Sequence, residues 1–269
     1  GAVRAGRSVS HPLSNASLRH RLTIVRLFYD HLIEEGLRAT NPVARGRRGV
    51  FDGSSSSGLR GLIQTGRTLP WIPTSEDWDG ILLVAKEESI RNRLMLALSY
   101  DCALRREELC LLNTSDIDPA HRLLTIRMET TKTKAGRVVP YSPVTGELFG
   151  AYLRERRKLT LARGPLFISM SPRNRGQPIG KWTWSKVVRS IAIRSGATRL
   201  STHTMRHLCL TDLARIGWDI HEIALFAGHR SVQTTLLYIH LSARDLSKKF
   251  ALAACELHDQ RLKQIGWVP

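Results

Sequence analysis

The sequence has no long apolar run and is poor in acidic residues. No stretch of its 269 residues approaches the roughly 20 consecutive apolar residues of a membrane-spanning helix, and the N-terminus lacks the apolar core of a secretory signal. We therefore expect no membrane partner. Lysine and arginine number 41 against 23 aspartate and glutamate, a formal net charge of +18. This excess predicts a polyanionic partner such as nucleic acid.

Cysteine is also scarce. Cys102, Cys110, Cys209 and Cys255 are scattered without a C-x-x-C pair, and three of them lie in apolar, helical-looking runs. The pattern indicates reduced cysteines in a core and argues against a disulfide framework. Together with the missing membrane segment, it predicts a soluble, cytoplasmic protein.

A glutamate is missing where a zinc metallopeptidase would need one. His203 and His207 have the i, i+4 spacing of zinc-binding histidines, but Thr204 follows the first of them. In such enzymes a glutamate at that position acts as the base. The metallopeptidase interpretation is therefore disfavoured, and we predict no metal site.

The chain divides into segments of different character. Residues 14–37 predict an amphipathic helix closed by Gly36, and one such helix cannot form a domain. We interpret residues 1–45 as the end of a helical domain that begins before Gly1, so that the chain is N-terminally truncated. Residues 46–69, rich in arginine, glycine and serine, predict a basic flexible linker.

Residues 70–242 predict a second domain that is mainly α with a small antiparallel β-sheet, an α+β fold. Thr74 and Asp77 can cap its first helix, and strand-like stretches at 123–127 and 136–141 flank a polar turn. The remaining apolar periodicity is helical. Helices are expected at 88–102, 145–158, 181–195, 203–216, 219–227 and 231–239, and a C-terminal helix and tail at 243–269.

A His-x-x-Arg pair stands at the predicted start of one helix. Ser201 or Thr202 can cap this helix, which would place His203 and Arg206 one turn apart on the same face. Both side chains could then reach one anion near the helix N-terminus. Alone, the segment is equally consistent with a solvated helix end.

Downstream, a histidine and a tyrosine flank a predicted helix break. Gly228 can end one helix and Ser231 can cap the next, so the break would let His229 and Tyr238 converge. A single tyrosine in a helix is more often a core residue than a reactive one.

An arginine stands at a third break, between two predicted helices. Arg105 is followed three residues later by Glu108, which could orient its guanidinium. Alone, this pair would be interpreted as a surface ion pair.

Together these segments resemble the motifs of the tyrosine recombinase, or phage integrase, family. The family's first arginine box, similar to G-L-R-x-x-E-L, matches residues 103–109 with alanine in place of the glycine. Its H-x-x-R box matches residues 203–206, and its L-G-H box matches residues 227–229 with alanine in place of the leucine. The nucleophile matches at Tyr238, inside T-T-x-x-Y-x-H.

The family's β-hairpin lysine corresponds to Lys132, with Lys134 as the competitor. The matching region runs from about residue 70 to the end of the chain. The two departures from the family motifs, Ala103 for glycine and Ala227 for leucine, remove no chemical group that the reaction needs, so activity is expected. The resemblance implies six catalytic residues: Arg105, Lys132, His203, Arg206, His229 and Tyr238.

The resemblance also implies a reaction, the cutting and rejoining of DNA strands through a 3′-phosphotyrosine at Tyr238 without metal, other cofactor or ATP. His203 would accept the tyrosine proton, and Lys132 would protonate the leaving 5′ oxygen. Glu108 would hold Arg105, which together with the second arginine and the L-G-H histidine would stabilise the negative charge of the transition state.

The implied partner is double-stranded DNA, bound by a homotetramer with a dimer on each site. Residues 243–269 would either pack within their own chain or exchange between subunits, and accessory DNA-bending or directionality proteins are expected. A bacterial protein of this kind would associate with the nucleoid. Sequence-independent DNA contacts are expected from Arg45, Arg47, Arg48, Lys134, Lys181 and Lys186, with Trp182 and Trp184 beside the last two. The alternative is that the arginines are solvated surface and the two tryptophans core residues.

Two alternatives remain. The charge and the helix-turn-helix-like residues 203–227 would also suit a DNA-binding module without catalysis. The same chemistry would suit a type IB topoisomerase, which relaxes supercoils as a monomer.

Overall fold

The structure is a computed structural model, and it describes residues 13–43, 69–131 and 135–238. The chain separates into two compact units, residues 1–68 and residues 69–269. No helix in the part of the chain that the structure describes is long and apolar enough to cross a membrane.

The described part of the first unit contains one helix, α1 (Asn15–Glu34). It begins where the hydroxyl of Ser14 accepts a hydrogen bond from the Ser17 N–H, and Gly36 follows with a positive φ of 70°. This helix was predicted from the apolar periodicity. None of its residues is buried, and Leu27 and Phe28 are 62% and 56% exposed.

The second unit is mainly helical, as its apolar periodicity predicted. Its helices are α2 (Ser75–Ala85), α3 (Ile90–Asp101), α4 (Arg106–Cys110), α5 (Pro143–Arg157), α6 (Lys181–Arg194), α7 (Thr204–Arg215) and α8 (Ile220–Ala227). Residues 232–238 are also helical. The capping box predicted for α2 is present, because the Thr74 hydroxyl accepts from the Asp77 N–H and the Asp77 carboxylate accepts from the Thr74 N–H.

The sheet is small and antiparallel, which confirms the predicted α+β class. Its strands are β1 (Ile117–Asp118), β2 (Leu123–Ile126) and β3 (Arg137–Pro140), in that spatial order. In the middle of the sheet Leu124 pairs with Val139, and both are buried. The connection between β2 and β3 contains residues 132–134, which lie outside the described residues.

Most of the buried apolar side chains among the described residues of the second unit form two hydrophobic clusters. The larger one includes the fully buried Trp184, Tyr152 and Phe167. The smaller one joins α7 and α8 and contains Tyr238, which is 2% exposed. The candidate nucleophile is therefore anchored by apolar packing. Of the predicted core cysteines, Cys102, Cys110 and Cys209 are free and buried, whereas Cys255 lies outside the described residues.

The start of α7 differs from its prediction. Neither Ser201 nor Thr202 caps the helix; the first helical residue is Thr204, and the preceding His203 offers no capping side chain. The hydroxyl of Ser201 instead accepts from the N–H of His203, outside the helix. The reason is a tight turn in which the Thr204 N–H bonds the Ser201 carbonyl.

Candidate active site

The first arginine of the site is held at a break between two helices. Arg105 precedes α4, and its Nη1 lies 2.6 Å from Oε1 of Glu108, a carboxylate that is 1% exposed. The backbone N–H of Arg105 donates to the other carboxylate oxygen at 3.0 Å. Its Nη2 donates to the carbonyl of Gly228, 123 residues away along the chain. Arg105 is thus fixed at both ends, while 22% of its side chain is exposed.

The second arginine is buried. Arg206 is 4% exposed, and it donates to the backbone carbonyls of Ala103 and Ala227. Ala103 occupies the place of the glycine in the motif and has a positive φ of 46°, so that place requires a left-handed backbone. Arg206 therefore connects the turn before α4 with the end of α8.

Tyr238 lies between two histidine rings. Its hydroxyl oxygen is 2.9 Å from Nδ1 of His207, and its ring stacks on that of His229 with the centroids 6.0 Å apart. The turn between the helices makes this convergence possible: Gly228 ends α8 in the left-handed conformation, and Ser231 caps residues 232–238 by accepting from the Gln233 N–H. The end of one helix at Gly228 and the start of the next at Ser231 were both predicted.

Burial and positive charge dominate the electrostatics of the site. Burial lowers the pKa of His207 to about 4, with help from His203 and Arg206. Burial and the arginines, Arg206 first, lower the pKa of His229 to about 3. The pKa of Tyr238 is raised by burial, although the charges of Arg206 and Arg105 oppose the rise. At neutral pH both histidines and the phenol are therefore uncharged.

This electrostatic arrangement predicts a pH-dependent stability. His207 and His229 stay neutral in the folded protein to about pH 4 and 3, whereas a histidine of the unfolded chain binds its proton near pH 6.5. Because the unfolded state binds more protons in that window, the free energy of unfolding should fall as the pH drops from about 6.5 to 4. Urea unfolding at about pH 7, 6 and 5 measures the slope.

Replacing His229 by Gln should flatten that slope, because the variant lacks the buried imidazole whose pKa is lowered. The stabilising contribution of Glu108 is constant over this pH range and changes only at lower pH. Burial alone would raise its pKa, but hydrogen bonds from Arg137 and Arg105 and the Arg137 charge lower it to about 2. Its contribution is therefore lost below about pH 4.5. Equal slopes for wild type and the His229 variant would contradict this account.

An open cavity adjoins the arginines. It has a volume of about 320 Å³, and Arg105, Arg106, Thr130 and His203 are among its lining residues. His203 is exposed, and its ring centroid lies 6.3 Å from that of His207. Partial desolvation and the neighbouring arginines, Arg206 first, lower the pKa of His203. Among the described residues its ring makes no hydrogen bond to Tyr238.

The structure thus brings together five of the six residues expected to be catalytic. The sixth, Lys132, lies outside the described residues, as do Arg45, Arg47, Arg48 and Lys134. Lys181 and Lys186 are exposed near the start of α6, where Lys181 forms an ion pair with Glu107. Trp182 is 79% exposed, but the contact expected from Trp184 is wrong because that ring is 1% exposed in the core.

Two residues of the site were not recognised from the sequence. His207 was considered only as a zinc ligand, and its contact with Tyr238 depends on the packing of α7 against residues 232–238. Arg137, on β3, binds Glu108 through both of its terminal nitrogens. One signal was available: Arg137 shares a strand face with the buried Val139, and a buried cation requires a partner.

Comparison with known sequences gives a consistent result. Residues 74–244 match the model of the phage integrase family. The tyrosine recombinase XerC of Thermodesulfovibrio yellowstonii is 28% identical over 243 residues, 87% of this chain and 74% of that protein. The XerC protein of Corynebacterium efficiens is 27% identical over 248 residues, 92% of this chain and 74% of that protein.

Solved structures share the fold. The crystal structure of XerA recombinase superposes with a TM-score of 0.60 at 24% identity, covering 70% of this chain and 66% of that one. The Tn1549 transposon integrase in complex with a circular intermediate DNA gives 0.63 at 17% identity, covering 88% and 80%. Each similarity supports the mainly helical fold with its small sheet.

Proposed function

The chain belongs to the phage integrase family, whose tyrosine recombinases cleave and rejoin DNA, and on that basis we propose that it is a site-specific recombinase that uses Tyr238 as its nucleophile. One observation carries this proposal. Tyr238 contacts His207 and His229, and Arg105 and Arg206 donate to the adjacent carbonyls of Gly228 and Ala227, next to a cavity lined by Arg105 and His203.

The two arginines would hold the scissile phosphate. In the transition state of phosphodiester cleavage, negative charge collects on the non-bridging oxygens and must be met by fixed donors. Among the described residues, Arg105 uses two of its five side-chain N–H groups on Glu108 and Gly228, which leaves three that can face a ligand. Its partial exposure beside the cavity supports a phosphate position there, with Arg206 behind it.

Proton transfer from Tyr238 requires a base, because the phenol is neutral. We assign His203 as the final proton acceptor and His207 as the relay, since His207 touches the hydroxyl oxygen and lies beside the His203 ring. A bound phosphate would offset the arginine charges and raise the pKa of both histidines. The incoming substrate would thereby make both rings better bases.

Protonation of the leaving 5′ oxygen is assigned to Lys132. It follows Thr130, which lines the cavity, by two residues. The product would be a 3′-phosphotyrosine and a free 5′-hydroxyl, so the energy of the broken bond is kept and religation needs no ATP. No metal is assigned a role.

The proposed partner is double-stranded DNA. Its backbone would contact Lys181 and Lys186 on α6, with the exposed Trp182 beside them, and Arg45, Arg47, Arg48 and Lys134 elsewhere in the chain. Strand exchange between two sites requires four active subunits, so we propose a homotetramer with a dimer on each site, assisted by accessory DNA-bending or directionality proteins. The activity would place the protein with chromosomal DNA, at the nucleoid in a bacterium.

The proposed domains follow from this activity. Residues 1–45 would complete a DNA clamp with residues 70–242, joined by the linker 46–69. Residues 243–269 would exchange between subunits of the tetramer.

Trapping the covalent intermediate tests the function. A duplex that binds the protein is selected from a random-sequence pool, and copies nicked at successive positions are incubated with the protein in excess chelator. A nick near the cleavage point lets a short strand diffuse away and prevents religation. We expect a denaturant-resistant adduct, a 5′-hydroxyl on the released strand, and a nucleotide-bearing peptide that contains Tyr238.

The other outcomes identify the alternatives. Tight binding without an adduct on any nicked duplex would identify a DNA-binding module without catalysis. Adduct formation with relaxation of supercoils, but no exchange between two duplexes, would identify a topoisomerase-like activity.

A further inference from the structure

A buried arginine outside the expected catalytic set contacts the site. Arg137 is the first residue of β3, and its side chain is 5% exposed. Its Nη1 and Nη2 donate to Oε1 and Oε2 of Glu108 at 3.2 and 2.9 Å. This two-point contact with a carboxylate is the geometry that gives arginine pairs their strength and direction.

Glu108 is therefore shared by two cations. Arg105 contacts the same carboxylate through its backbone N–H and Nη1. With Arg105 alone, the carboxylate would cancel the charge intended for the phosphate. With two guanidinium groups on one carboxylate, the cluster keeps one net positive charge. Because Arg137 is sealed from solvent and Arg105 is 22% exposed, that charge is available on the Arg105 side.

Arg137 also touches the second support of Arg105. A Cβ added to Gly228 would lie 2.9 Å from Nη1 of Arg137, so this side chain packs directly against the glycine backbone. The carbonyl of Gly228 is the acceptor for Nη2 of Arg105. Arg137 thus contacts both groups that fix Arg105, and a side chain at residue 228 would have to displace the Arg137 guanidinium.

We propose that Arg137 is a positioning residue that neutralises Glu108 and thereby leaves the charge of Arg105 free for the scissile phosphate. The inference rests on the proposed function. It assigns β3 a new role in DNA cleavage. Glu108 is then the centre of a unit formed with Arg105 and Arg137.

Single-turnover cleavage of the selected nicked duplex tests the role. Arg137→Gln should slow adduct formation by about 10- to 100-fold, the range found for residues that orient the side chains binding a metal ion. Arg137→Lys should be intermediate, since it keeps the charge but loses the fork. The double variant Arg137→Gln with Glu108→Gln should be faster than Arg137→Gln alone, because no carboxylate then competes for Arg105.

A neutral substrate supplies the second readout. A methylphosphonate at the cleavage position removes one negative oxygen, so the deficit of Arg137→Gln relative to wild type should shrink. The matched control is Arg127→Gln, which breaks another pair with a buried carboxylate, Asp116, outside the site. Arg127→Gln should lower the free energy of unfolding without slowing cleavage. All rates are compared under conditions in which urea titration shows that each protein is fully folded.

Several results would overturn the role of Arg137. Equal rates for wild type and Arg137→Gln would do so, as would a double variant no faster than Arg137→Gln, or an unchanged deficit on the methylphosphonate. Loss of rate in Arg127→Gln would show that general destabilisation explains the effect. Absence of an adduct from wild type would remove the proposed function and this role with it, whereas an active wild type with equal variants would remove only the role of Arg137.

Discussion

Replacing Tyr238 by Phe is expected to abolish the protein–DNA adduct. The substitution removes the attacking oxygen and leaves the ring that packs in the smaller hydrophobic cluster beside His229. Cleavage should fall by about 10⁶-fold, the size found when an enzyme nucleophile is removed. DNA affinity should not change, because the hydroxyl lies in a buried contact with His207. Adduct yield and fluorescence anisotropy measure the two quantities.

The matched control removes a different hydroxyl. Tyr100 is half-buried and donates to Asp212 at 2.9 Å, outside the site. Both Tyr238→Phe and Tyr100→Phe should lower the free energy of unfolding by about 1 kcal/mol through one lost hydrogen bond. Only the first should lose cleavage. An adduct from Tyr238→Phe would mean that another residue is the nucleophile.

Replacing Arg206 by Gln should damage both catalysis and stability. Loss of a donor that meets developing charge typically costs 10²- to 10³-fold in rate, and Arg206 can offer two donors, so we expect cleavage to fall by about 10³-fold or more. The carbonyls of Ala103 and Ala227 would lose their buried partner, which should cost about 3 kcal/mol of unfolding free energy. Single-turnover rates and urea titrations measure the two effects.

The chain offers a matched control in Arg156. This residue is 5% exposed and donates to the carbonyls of Ala162, Pro165 and Leu166, without contacting a site residue among those described. Arg156→Gln should lose a similar amount of stability but cleave normally wherever it is folded. If both variants lost the same fraction of activity, the effect of Arg206 would be structural rather than catalytic.

Local features of the site could be predicted because they depend on neighbours in the sequence. The capping box of Thr74 and Asp77, the helix stop at Gly228 and the start at Ser231 each involve hydrogen bonds over two to five residues. The order of the longer helices and of β2 and β3 followed from apolar periodicity in the same way, whereas the two-residue strand β1 was not predicted. A local rule also failed at Ser201, where a tight turn displaced the helix start.

The sequence by itself determined the fold class, the family resemblance and five candidate site residues that the structure places together, because periodicity and motif spacing are properties of the linear chain. Only the tertiary structure decided which groups touch. The contacts of Glu108 with Arg137, of His207 with Tyr238, and of Arg105 with Gly228 span 29, 31 and 123 residues. Such contacts arise when separate elements pack around a shared core, and the partner of a buried charge is fixed only by that packing.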